Sequence, residues 1–199
     1  MRIIKINLYT LLGIVLFASV SFATSVNGRF VVVKSDASKL SVLVQINTNS
    51  GKDDLGGTTM VLSIDKTIIS FSSSPESSKD YIFHNFSGGN YNDATVTNPL
   101  SDKLWINIDL PKENSNKGKV VTDTSGWTDV VTLNFSVINS NDTARVRWMY
   151  RNLFWQVYDA DNSSGWSIGK FTNLESAPVQ VKLLSFTAVL LDISNIKLD

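Results

Sequence analysis

Val130-Val131-Thr132-Leu133-Asn134-Phe135-Ser136-Val137-Ile138 is the stretch whose reading decides the fold. Val131, Leu133, Phe135 and Val137 fall on one side of an extended chain, and Thr132, Asn134 and Ser136 on the other. A period of two marks a β-strand with one face in a core and one in water, because successive side chains leave an extended backbone on opposite sides. Upstream, Leu104, Ile106, Ile108 and Leu110 repeat the pattern, with Trp105, Asn107 and Asp109 opposite them. Downstream, Val146, Trp148 and Tyr150 alternate with Arg145 and Arg147, which predicts aromatic and aliphatic groups inward and charge outward.

Working outward, further strands are predicted over Phe30–Lys34, Leu40–Asn47, Thr58–Ile64, Tyr81–Phe86, Ala94–Thr97, Phe154–Tyr158 and Ile168–Thr172. Leu43 breaks the alternation of the second and predicts a strand covered on both faces. Gly56-Gly57 reads as a turn, Asp65–Phe71 as a corner returning Ile69 and Phe71 to the core, and Ser72–Lys79, with Pro75, as a loop. No convincing helix follows the first residues. The expected fold is all-β, a two-sheet antiparallel jelly-roll sandwich of about nine strands, preceded by a signal-peptide helix.

Arg2 and Lys5 followed by the apolar run Leu8–Phe17, with Ser21 and Ala23 at the positions a signal peptidase reads, predict export with removal of residues 1–23. The run is shorter than the about 20 apolar residues of a membrane anchor. The sandwich is then expected over 24–176, with 177–199 as a linker or the start of a following domain. Without Arg2 and Lys5 the chain has sixteen basic and eighteen acidic residues, a net charge of −2, so no strong field draws it to nucleic acid or to anionic lipid. There is no cysteine, so neither disulfides nor a thiol nucleophile contribute.

Val44-Gln45-Ile46-Asn47-Thr48-Asn49, Leu55-Gly56-Gly57 and Leu62-Ser63-Ile64-Asp65 through Ile69-Ser70-Phe71 resemble the opening of cohesin-like domains. Gly118-Lys119-Val120-Val121 and Thr132–Val137 resemble that family's later strands. The resemblance implies a nine-stranded jelly roll related to carbohydrate-binding modules, with dockerin-like modules or polysaccharide as partners. Val181-Lys182-Leu183-Leu184-Ser185-Phe186-Thr187-Ala188, after Pro178, is similar to the linker preceding type IX sorting domains in secreted proteins of Bacteroidota. It departs from that motif at Lys182, where an acid is usual, and only eleven residues follow Ala188.

Hydrolysis needs an acid and a base or nucleophile held a few ångströms apart. The three glutamates, Glu76, Glu113 and Glu175, lie in predicted loops or near the chain end, and the one histidine, His84, sits in an aromatic strand as a structural residue. The chain is therefore read as a non-catalytic extracellular module. Carbohydrate is the first ligand class, because pyranose faces stack on aromatic rings, and a cohesin-like protein–protein or adhesion role is the alternative. Trp105 with Asn107 and Asp109, Trp127 near it, and a partly exposed Trp166 are the candidate contact residues. No cofactor is expected. Asp159, Asp161 and Ser163 form the one candidate calcium segment, but it lacks the glycine at position 164 and the bidentate acid at 170 of an EF-hand loop, and a hairpin turn explains it equally.

Overall fold

The computed structural model describes residues 24–49, 53–111, 117–122, 126–149, 156–159 and 166–178. The expected signal helix at 1–23 and the linker-like Val181–Ala188 lie outside them. The described residues form strands β1 (Ser25–Ser35), β2 (Lys39–Thr48), β3 (Asp53–Ile64), β4 (Ile69–Ser70), β5 (Tyr81–Phe83), β6 (Thr95–Leu100), β7 (Lys103–Ile108), β8 (Lys119–Val121), β9 (Thr128–Val137), β10 (Thr143–Trp148), β11 (Gln156–Asp159), β12 (Ser167–Phe171) and β13 (Leu174–Pro178). They build two sheets. The first has the order β12-β1-β2-β9-β4 with β5 also beside β9, and the second has β13-β10-β3-β7-β6 with β8 and β11 also on β3. This is the all-β sandwich expected, and its neighbouring strands are antiparallel except for β1 and β12, which run parallel.

The alternation of β9 translates directly into packing. Val131 and Leu133 are fully buried and Phe135 nearly so, while Thr132 and Asn134 are half-exposed and Ser136 exposed. Leu40, Val42, Val44 and Ile46 of β2 meet them from one side, and Met60, Leu62, Leu104, Ile106, Ala144 and Val146 close the core from the second sheet. Removing these aliphatic side chains from water is the main driving force for the sandwich, at roughly 1.5–3 kcal/mol for each fully buried one. Leu43, expected to be covered, is half-buried on the outer face opposite Val31 and Thr132.

Three departures from the sequence reading have local causes. Gly56 and Gly57 are not a turn but part of β3, because Leu55 is paired on one edge with Lys119 of β8 and on the other with Asp159 of β11. Ladders on both edges hold the glycines extended despite their poor strand propensity. Pro99 sits inside β6, an edge strand, within the register shift between Thr97 and Leu100, where its missing N–H costs no ladder bond. The strand expected through Phe86 stops at Phe83, and Phe86 takes a left-handed backbone (φ 62°) that ends pairing. At the far end, Ala177 of β13 pairs with Ala144 and is fully buried.

The sheets are tied at one edge by aromatic rings. Phe30 of β1 stacks on Trp148 of β10 at 4.4 Å, and Phe171 of β12 meets the same indole edge-on at 5.0 Å. The indole Nε1 donates to the Thr172 carbonyl at 3.0 Å, fixing the ring. Gly28 leaves room for this triad: a β-carbon there would stand 2.3 Å from the Phe171 ring and 3.0 Å from that of Trp148. Gly28→Ala should therefore lower stability by about 1–3 kcal/mol, the range for overpacking a filled core. Denaturant unfolding followed by tryptophan fluorescence measures this, and an unchanged midpoint would show that the triad yields freely.

A second tie closes one end of the sandwich. The buried Tyr91 hydroxyl donates to the Leu55 carbonyl and accepts the Lys119 N–H at 2.8 Å, so one phenol joins the loop before β6 to β3 and β8. Burial pushes this phenol up to about 12, with the Asp54 charge adding to the rise and the Lys119 N–H opposing it. An unfolded tyrosine ionises near 10, so between about pH 10 and 12 the unfolded chain releases a proton that the folded chain keeps, and stability falls. Below that window the contribution is complete. Tyr91→Phe should flatten this alkaline loss and lower neutral-pH stability by about 1–3 kcal/mol for the orphaned backbone groups, measured by denaturation between pH 7 and 12.

Candidate functional site

The outer face of the second sheet gathers the side chains that face away from the core on β10, β3, β7 and β6. Cross-strand register sets them in rows, since residues directly opposite in an antiparallel pair share a face. Arg147 lies opposite Ser63, and Ser63 opposite Lys103. In the next row Val61 lies opposite Trp105, and Trp105 opposite Thr97. In the third Thr59 lies opposite Asn107, and Asn107 opposite Thr95, with the Thr59 hydroxyl donating to Asn107 Oδ1 at 3.1 Å. Trp105 thus stands half-buried between the buried Val61 and the exposed Thr97, with hydroxyls and an amide in the adjoining rows.

Charge is confined to one side of this face. Arg147 holds Glu175 of β13 through Nε at 3.0 Å and Nη2 at 2.7 Å, and Asn173 adds its amide to the same carboxylate. The guanidinium keeps the Glu175 carboxyl below the usual range. Both side chains are about half exposed, so the pair contributes geometry more than stability. Beyond it, Asp65, Lys66, Thr67, Asp102 and Arg145 surround a shallow depression. Asp65 is held low first by the Thr67 hydroxyl and amide, which make an Asx turn at the corner leaving β3.

Of the residues singled out in the sequence, Trp105 and Asn107 share this face. Asp109 lies past the end of β7, where it is exposed and accepts the Asn92 side-chain amide. Trp127 belongs to the other sheet: its ring lies 4.2 Å from the Arg29 guanidinium, itself bonded to Gln45, which continues to Asp129. Trp166 is not partly exposed but buried at 8%, and its indole N–H has no partner among the described residues. The three indoles therefore do not form a common platform. Asp161 and Ser163 lie outside the described residues, Asp159 ends β11, and among the described residues no three acidic or histidine side chains come together as a cation site. His84 is exposed, with Nε2 2.8 Å from the Thr132 hydroxyl.

Sequence reasoning missed Thr59, Thr97 and Ser63 as neighbours of Trp105. Each looks like any outward position of a strand, and only the register shows that they surround the indole.

No protein-family model and no curated protein sequence matches the chain. Solved structures do. The chain is similar to CaCohA2 of Clostridium acetobutylicum in its solution structure, at a TM-score of 0.53 and 14% identity over 78% of this chain and 92% of that one. It is equally similar to a crystal structure of a CaDoc0917–CaCohA2 complex, at a TM-score of 0.53 and 15% identity over 75% of this chain and 96% of that one. A cohesin module from a family 33 glycoside hydrolase of Clostridium perfringens aligns at a TM-score of 0.48 and 10% identity, covering 77% and 96%. The fold is a cohesin-like β-sandwich.

Proposed function

We propose that the chain is a non-catalytic, exported recognition module that takes a protein partner on the outer face of β10-β3-β7-β6. The observation that carries this reading is Trp105, a half-buried indole on the outer sheet face, backed by the buried Val61 and bordered by Thr59, Ser63, Thr97 and Asn107. Protein interfaces concentrate their affinity in such an aromatic anchor, with polar groups around it that exclude water and satisfy the partner's hydrogen bonds. The likeness of the fold to CaCohA2, which is seen in complex with CaDoc0917, supports a dockerin-like module as the partner.

A polysaccharide on the same face has less support. A sugar chain is usually held in a cleft or across several exposed rings, and Trp127 and Trp166 lie elsewhere. The two readings separate in one experiment. The full chain is titrated by surface plasmon resonance against a set of dockerin modules and, in parallel, against soluble plant polysaccharides. Saturable binding of a dockerin is expected, with Trp105→Ala weakening it about 30-fold, equivalent to about 2 kcal/mol for loss of a central anchor, and Trp127→Ala leaving it intact. Dockerin binding indifferent to Trp105→Ala would move the site off this face, and polysaccharide binding that depends on Trp105 would restore the sugar reading.

A further inference from the structure

One end of the sandwich, away from the face just described, carries a depression of about 380 Å³ between the segment following β5 and the segment entering β8. Its first wall is fixed to β9. The His84 amide donates to the Val130 carbonyl at 3.0 Å and its ring meets Thr132, while the Asn85 side chain donates to the Asp129 carbonyl at 2.8 Å. The second wall is fixed to the first: Asn90 donates to the Lys117 carbonyl at 3.0 Å, and Tyr91 accepts the Lys119 amide. Phe86 and Tyr91, packed edge to face at 5.7 Å and both buried, form a rigid floor. Gly88 and Gly89, at φ 70° and 66°, turn the rim with open space beside them. The volume is at the small end of ligand sites, the size for a single small ring rather than a peptide.

The charge on this rim has one sign. Lys117 and Lys119 are both exposed there, and neither makes an ion pair among the described residues. His84 faces the same space, and among the described residues no carboxylate lines it. Ser87, exposed on the rim, accepts the Ala94 amide and keeps its own proton to donate. Two ammonium groups without an ion-pair partner among the described residues, beside the Ser87 hydroxyl, suit a ring that carries both a negative group and hydroxyls. The near-neutral chain offers no extended field for a long polyanion such as nucleic acid.

We infer that this depression binds an acidic pyranose, with Lys117 and Lys119 taking the carboxylate or sulfate ester and Ser87 a ring hydroxyl. The site is independent of the protein-binding face, and its test keeps the two apart. The full chain is titrated by NMR or calorimetry with a short galacturonate oligomer, its neutral galactose counterpart and sodium sulfate. The acidic oligomer is expected to saturate the protein at about millimolar or tighter affinity, to weaken as salt rises, and to bind at least about tenfold better than the neutral sugar. Lys117→Gln with Lys119→Gln should lower that affinity about tenfold or more without shifting thermal unfolding, since both side chains are solvated. Trp105→Ala should leave it unchanged. Equal binding of acidic and neutral oligomers, sulfate binding as tightly as the oligomer (an adventitious ion only), or full affinity in the double variant would each overturn the inference.

Discussion

The structure depends on β3, a strand with partners along both edges. On one edge Leu62–Ile64 pair with β10 and Leu55–Thr59 with β11; on the other Thr58–Ser63 pair with β7 and Asp53–Leu55 with β8. Four strands thus hang their register on one backbone. Because side chains alternate with a period of two, a one-residue slip of β3 would turn Met60, Leu62 and Ile64 out of the core and Thr59 and Ser63 into it. Burial of those three therefore fixes the register of the whole second sheet, and with it the positions of Trp105, Asn107 and Arg147.

The first sheet is built on the same rule but finished differently. Its outer face carries a cross-strand ladder of polar contacts, from Arg29 to Gln45 to Asp129 and from Ser41 to Asn134, around a partly apolar row of Val31, Leu43 and Ile82. On the second sheet the cross-strand contacts are Thr59 to Asn107 and Arg147 to Glu175, on either side of the row that holds Val61, Trp105 and Thr97. The two faces thus differ in chemistry although both are outward sides of antiparallel ladders. The exposed Val33 lies at the register shift between Val32 and Lys34, where the bulge in β1 takes it out of the ladder.

The candidate sites lie on one sheet face and at one end of the sandwich. The sheet face offers an indole between Val61 and Thr97 with hydroxyls in the adjoining rows, which suits a broad partner. The end depression is held by a backbone bond from His84 to Val130 and by side chain-to-backbone bonds of Asn85, Asn90 and Tyr91, which prepare its shape before any ligand arrives. A site whose walls are already bonded loses little entropy on binding, so two exposed lysines suffice to give it a preference.

Alternation alone determined much of the chain. The inward residues of β2, β7, β9 and β10, the corner at Asp65 and the core position of Trp148 were all legible, because each depends on neighbours two residues apart. What only the tertiary structure decided depends on partners far along the chain. Gly56 and Gly57 became strand because β8 and β11 arrive on both sides of them. Trp166 became buried, and Trp127 was drawn to Arg29 on the opposite sheet from Trp105. Lys117 and Lys119 came to face His84 across more than thirty residues of sequence. Local pattern specifies which way a side chain points from its own strand, but which side chains meet is set by cross-strand register and loop closure, and those are properties of the assembled sandwich.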